Sequence, residues 1–170
     1  VVRDTIEVLG PVRHYTFISS VSVYADCSTP PTESSPLRVL AAPTEDRREA
    51  YGELKAECEQ VVREAFPDAF IVRPGLIVGP WDPTGRFSYW PERLADGGRV
   101  LAPAPPEAPA QVIDGLDLAA WIVAAAETGL AGTFNAVDRP TTWSAMLAAC
   151  AEGVGRDPEL VWVDPGFLAE

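Results

Sequence analysis

The apolar positions of this chain follow two rhythms, and the change from one to the other organises its first half. Residues 15–24, YTFISSVSVY, open with aromatic and β-branched side chains and end among serines, which predicts a buried strand running into a serine-rich turn. Residues 47–65, RREAYGELKAECEQVVREA, set Tyr51, Leu54, Cys58, Val61, Val62 and Ala65 at helical spacing. Thr44 is the expected N-cap of that helix, with Glu45 and Asp46 in its first turn. Residues 69–74, AFIVRP, are almost continuously apolar up to Pro74 and Gly75, as in a parallel strand covered on both faces. Strand, connection, helix and strand form a crossover unit, so the pattern predicts an α/β fold with a parallel sheet.

The connection over 25–46 is rich in Ser, Thr and Pro and much longer than the usual ~4 to 6 residues, which suits a loop on the substrate side. After the polar turn GPWDPTG, RFSYWPERLADGG predicts a short helix with Pro91 near its middle or at a break. The proline-rich run between 103 and 109 predicts extended surface chain. DLAAWIVAAAETG is a clear helix with Asp114 or Asp117 as capping candidate and Gly129 as its stop. GTFNAV predicts a strand, TWSAMLAACAEGVG a helix capped near Thr141 or Thr142, and ELVWV a last strand. The first ten residues read as the middle of an amphipathic helix, and with Val1 at the start and Met146 as the only methionine the chain is expected to be a piece of something longer.

At 170 residues and 47% hydrophobic content, one substantial core is expected. A net charge of -12 argues against a nucleic-acid or anionic-membrane partner, since such binding rests on cationic neutralisation. Cys27, Cys58 and Cys150 lie far apart, with neither a CxxC pair nor histidine company beyond His14. No metal site is expected from them, and reduced thiols in a cytoplasmic protein are the plain reading. No apolar run approaches the ~20 residues that span a bilayer.

The candidate chemistry lies in AYGELKAECE, residues 50–59. Lys55 is the only lysine, the other twelve basic residues being arginines, and it follows Tyr51 by four positions. Residues i and i+4 share a helix face, so phenol and ammonium can sit over one point. A free phenol has a pKa near 10, and a nearby positive charge favours its ionised form, which makes Tyr51 a candidate acid or base. A compact ammonium can also reach a second oxygen in a way that a broad guanidinium does not. His14 lacks a GxSxG partner and reads as a structural histidine. The tryptophans read mostly as core or pocket wall.

Together ISSVSVYAD, YGELK and IVRPGLIVGP resemble the short-chain dehydrogenase/reductase superfamily in its extended, epimerase/dehydratase-like branch, with the texture of actinobacterial reductases and epimerases. The resemblance covers roughly residues 1 to 163 and implies a Rossmann-like parallel sheet with flanking helices, incomplete at its N-terminal half, plus part of a small substrate-binding region. It implies residues 1–80 as the C-terminal half of the Rossmann-like domain, and residues 81–170 as substrate-region segments interleaved with remaining strands in one compact unit. It implies Ser20, Tyr51 and Lys55 as the catalytic group, with Ser19, Tyr51, Lys55, Pro74 and Gly75 beside an NAD or NADP cofactor. Ser22, Tyr89, Trp90 and Arg86 are the implied substrate contacts, and Ser22 stands where dehydratase members carry an acid. The implied activity is an oxidoreductase or epimerase acting on a hydroxyl or carbonyl of a nucleotide-linked sugar or similar small molecule. The family's glycine-rich GxxGxxG turn is missing from this sequence. A non-catalytic module kept for binding or assembly is therefore the alternative, and an uncovered sheet edge would favour a homodimer.

Overall fold

The computed structural model describes residues 2–44, 46, 48–103 and 105–168, apart from the side chains of Pro165 and Leu168. The elements are α1 (Val2–Leu9), β1 (Thr16–Ile18), a 3-10 turn (Val21–Val23), α2 (Tyr51–Ala65), β2 (Phe70–Pro74) and β3 (Leu76–Val78). They continue with α3 (Tyr89–Ala95), β4 (Arg99–Pro103), β5 (Pro109–Ala110), β6 (Val112–Asp114), α4 (Gly115–Thr128) and β7 (Gly132–Ala136). Then come β8 (Thr141–Thr142), α5 (Trp143–Gly153), β9 (Glu159–Val163) and α6 (Pro165–Leu168). The chain divides into two compact units, one of residues 1–75 with 116–137, the other of residues 76–115 with 138–170.

In the first unit β1, β2 and β7 form a parallel sheet in the order β1-β2-β7, with Phe17 opposite Ile71 and Val72 opposite Phe134. Every residue of β2 is buried, as its unbroken apolar run predicts. Successive side chains point to opposite faces of the pleat. Ile71 joins Val62 and Ala69 in a cluster covered by Val2, Ile6, Tyr15, Phe17 and Phe66, under α1 and α2. Phe70 meets Trp121 of α4 edge-on at 5.2 Å between ring centres, and Phe134 at 5.7 Å. Helices thus cover both faces, and Gly129, at φ +67°, stops α4 where a side-chain-bearing residue would be strained.

Two expectations about α2 are corrected. The helix begins at Tyr51 with no side-chain cap, and Ala50 holds its cap position, six residues after the expected cap Thr44. The Thr44 hydroxyl accepts from the Asp46 amide, and the Asp46 carboxylate accepts from the amides of Arg48 and Glu49. These local bonds hold a separate turn in front of the helix, a familiar competition between short polar side chains and the helical ladder. Glu45, expected in the first turn, lies outside the described residues. Of the predicted stripe Val62 is buried, but the rest of the buried face is Gly52, Ala56 and Glu59, while Leu54, Cys58 and Val61 are half-buried and Tyr51 and Ala65 exposed. Tyr51 is 44% exposed.

In the second unit β4 and β9 pair in parallel, and Leu94, Val100, Ala102 and Leu147 form a core with Trp90, Trp143 and Trp162 packed on it. Pro91 lies in the first turn of α3, where its missing N–H is not needed by the helix. Thr142 caps α5 by accepting from the Ala145 amide. The proline-rich run lies at the surface as expected, with Pro105, Glu107 and Pro109 exposed, but it is not extended throughout. It folds into a turn whose Pro106 and Ala108 carbonyls accept from the amides of Ser144 and Trp143 at the start of α5. β3 pairs with β6 in parallel, and β5 with β8 antiparallel. Trp81 is 96% exposed and holds φ +73°, a left-handed backbone uncommon for a bulky residue. The three cysteines are free. Among the described residues, no helix is long and apolar enough to cross a membrane, and no group of His, Cys, Asp and Glu side chains could hold a metal ion.

Ile71→Ala should cost about 2 to 5 kcal/mol, because the central strand cannot collapse around the lost side chain. Urea unfolding followed by circular dichroism measures it, and a loss below about 1 kcal/mol would contradict the packing described.

Candidate active site

The site is assembled at the end of β1, where the chain leaves the sheet through four consecutive small or β-branched residues. Ser19 hydrogen-bonds through its amide to the Val72 carbonyl and remains tied to the sheet. Ser20 then takes an extended backbone and caps the 3-10 turn, its hydroxyl accepting from the Ser22 amide and donating to the Ser22 hydroxyl. The far end of the loop returns to this turn. Tyr24 bridges antiparallel to Leu37, and the Arg38 amide donates to the Val23 carbonyl.

The helix α2 lies against the turn because Gly52 has no side chain. A Cβ there would overlap the Ser22 carbonyl oxygen and approach Arg38 Cδ to 2.8 Å. Arg38 spans the same junction, donating to the Tyr24 carbonyl at 3.1 Å and to Glu53 at 3.2 Å. Tyr51, Gly52, Val21 and Ser22 consequently line one cavity of about 410 Å³. One turn further along the helix, Lys55 Nζ donates to the Ile18 carbonyl at 2.8 Å and stands 5.9 Å from the centre of the Tyr51 ring. One of its three N–H donors is thus committed to the end of β1. Burial pulls the Lys55 ammonium below its ordinary pKa, while Cys58 and Glu59 act in the opposite direction.

Beneath this surface lies a network that sequence reasoning missed. Among the described residues the buried polar or charged ones are Ser19, Glu59 and Arg73. Arg73 Nε donates to Glu59 Oε1 at 2.9 Å and Nη2 to Oε2 at 2.7 Å, a two-pronged pair with both side chains at or near zero exposure. Arg73 Nη1 donates to the Tyr24 hydroxyl at 2.9 Å and to the Glu33 carbonyl at 3.1 Å. The Tyr24 hydroxyl in turn donates to Asn135 Oδ1 at 2.6 Å, and the Asn135 amide donates to the Glu33 carboxylate at 2.8 Å. Burial alone would raise the Glu59 pKa; hydrogen bonds from Arg73 and the nearby Ser19 hydroxyl, the Arg73 charge and Arg63 together bring it below the ordinary carboxylate value. The Ser19 hydroxyl is fully enclosed beside this pair. The available signal was period four: Tyr51, Lys55 and Glu59 stack along one line of the helix.

Of the expected site residues, Tyr51, Lys55 and the Ser19–Ser22 segment share the first unit. No hydrogen bond joins Ser20 to Tyr51 among the described residues. Pro74 ends β2, and the Gly75 amide donates to the Ala136 carbonyl; a Cβ added at Gly75 would come within 2.8 Å of Val137 Cγ1. Arg86, Tyr89 and Trp90 belong to the second unit. Arg86 Nε donates to the Thr84 hydroxyl, Tyr89 is exposed, and Trp90 packs on the core against Trp143.

A parallel sheet covered by helices on both faces, with this polar cluster at the end of its first strand, defines a Rossmann-like α/β protein. A family profile described as "NAD dependent epimerase/dehydratase family" matches residues 3–136. The chain belongs to that family. It is 33% identical over 122 residues to a ceramide reductase of Caulobacter vibrioides, covering 69% of this chain and 38% of that protein. Its fold is similar to that of a dTDP-4-dehydrorhamnose reductase of Bacillus anthracis in complex with NADP, with TM-score 0.71, 17% identity and coverage of 91% of this chain and 52% of that one. It is also similar to the Bordetella bronchiseptica enzyme WbmG in complex with NAD and UDP, with TM-score 0.69, 18% identity and coverage of 97% and 51%. The chain therefore spans about half the length of these solved structures.

Gly52→Ala should push α2 away from the serine turn and destabilise the protein by about 1 to 3 kcal/mol, measured by urea unfolding. The lowered Glu59 pKa means that its contribution to stability is present above the ordinary glutamate value and is lost as pH falls through the folded-state value. Glu59→Gln should flatten this acid limb of the stability curve. An unchanged limb would show that Glu59 is not the group being protonated.

Proposed function

We propose that this chain carries the acid–base centre of an NAD(P)-dependent reductase or epimerase acting on a hydroxyl or carbonyl of a nucleotide-linked sugar or a similar small molecule. The observation that carries the reading is the placement of Tyr51 and Lys55 one helical turn apart, with Lys55 anchored on the last carbonyl of β1 beside the Ser20–Ser22 turn. The donor set fits the nicotinamide riboside half of the cofactor: a half-buried ammonium with donors to spare stands beside a phenol and a run of hydroxyls. The glycine-rich pyrophosphate turn has no counterpart in these residues. Membership of the epimerase/dehydratase family and the reductase names of similar proteins support the same class.

In this reading the nicotinamide ring, when bound, donates or accepts hydride at its C4. Ser20 donates a hydrogen bond to the substrate oxygen and holds it toward Tyr51. The Tyr51 phenol gives its proton to a carbonyl oxygen during reduction, or takes one from a hydroxyl during oxidation. Lys55 holds a ribose hydroxyl and offsets the charge left on the phenolate, while its bond to Ile18 fixes where that charge sits. Pro74 and Gly75 border the ring. Ser22 is the proposed substrate contact within the first unit; of the second unit's expected contacts, Tyr89 is exposed and Trp90 is packed on that unit's core.

Tyr51→Phe in the protein at its natural length should lower kcat by about 100- to 10,000-fold with the circular dichroism spectrum unchanged. Calorimetry should show binding of NAD or NADP by the parent and by the variant. Retained turnover in the variant, or a parent that binds neither nucleotide, would end this reading.

A further inference from the structure

The reacting groups of the proposed centre come from two separate pieces of chain, and no hydrogen bond between Ser20 and Tyr51 sets their spacing among the described residues. Small residues dominate the contact between the two pieces: of the four buried positions on α2, Gly52 and Ala56 offer almost no shape to fix rotation or sliding. Arg38 and Lys55 link the pieces at the half-buried surface, and Glu59 supplies the buried directional bond. It lies one turn beyond Lys55 and two beyond Tyr51. Tyr24 holds the corresponding place on the other piece, at the C-cap of the turn whose N-cap is Ser20. Arg73 bridges the two, its fork closed on Glu59 and its remaining arm on the Tyr24 hydroxyl, with the guanidinium 4.9 Å from the centre of the Tyr24 ring. A planar fork with two short bonds constrains both the angle and the axial position of its partner.

We propose that Arg73 is a positioning residue that, through Glu59 and Tyr24, sets the distance between the helix carrying Tyr51 and Lys55 and the turn carrying Ser20; the catalytic part of this inference rests on the function proposed above. Removing one partner strands a buried charge and endangers folding, whereas replacing both with apolar side chains of similar size is often neutral for stability. The paired variant Glu59→Met with Arg73→Met therefore separates positioning from mere support.

In the protein at its natural length, that double variant should unfold cooperatively, keep the parental KM for the nicotinamide nucleotide and lose about 10- to 100-fold in kcat. In a Tyr51→Phe background the same pair should remove little further activity, because no phenol remains to be placed. A parental kcat in the double variant, or equal losses in both backgrounds, would overturn the proposal. Should the double variant fail to fold, Tyr24→Phe carries the test: it keeps the ring and should still lower kcat at constant KM, while a parental kcat would sink the idea. If the parent transfers no hydride, the proposed function falls, and the positioning role is read by hydrogen exchange. The Val23 and Tyr24 amides should then lose at least tenfold in protection in the paired variant or in Tyr24→Phe, relative to those of Phe70 and Ile71. Unchanged protection would overturn it.

Discussion

A guanidinium can leave water only if its charge and its N–H groups are answered, and Arg73 is 1% exposed. That requirement ties together four separate parts of the first unit: α2, the serine turn, the long loop and β7. The answer to the charge has to come from α2, where Glu59 is enclosed with it. The answer to the remaining donors comes from Tyr24 after the serine turn and from the main chain at Glu33 in the long loop. Asn135 of β7 completes the set by meeting Tyr24, the Glu33 carboxylate and the Pro31 carbonyl. A pair of this kind adds little net stability over an apolar equivalent, since desolvation consumes most of the attraction.

The surface chemistry inherits that order. Lys55 and Tyr51 are partly open to solvent, and exposed side chains alone would hold their geometry poorly. Their backbone, however, is carried by a helix pinned from below by Glu59 and pressed against the serine turn at Gly52. The long loop over 25–46 is stitched to the sheet near its middle by Glu33, whose carbonyl accepts from Arg73 of β2 and whose carboxylate accepts from the Asn135 amide of β7.

Much of this was legible in the sequence because it rests on local periodicity. The apolar runs of β2 and β9, the helices α4 and α5 with Gly129 and Thr142 at their ends, and the parallel crossover from β1 through α2 to β2 follow from side-chain spacing and turn chemistry. The buried face of α2 was not legible, because its centre is a glutamate and periodicity counts charge as surface. Only a partner 14 residues away in sequence, Arg73, makes Glu59 an interior residue. The helix start was missed for a related reason: Thr44 and Asp46 are good capping residues, but they close a turn of their own. Two-residue strands such as β5 and β8 carry no pattern, and their pairing depends on chain brought from far away. Of the site, the Tyr51 and Lys55 pair could be read by eye, whereas the buried network beneath it could not.

The first unit is not continuous in sequence: the chain leaves it after Gly75, returns at Leu116 and leaves again after Val137. Its central strand β2 therefore waits for β7, whose residues come about sixty positions later, before its second edge is paired. During synthesis a nascent polypeptide would hold an apolar, half-paired β2 while the whole intervening segment emerges from the ribosome. Production of this unit should accordingly depend on elongation rate and chaperone supply.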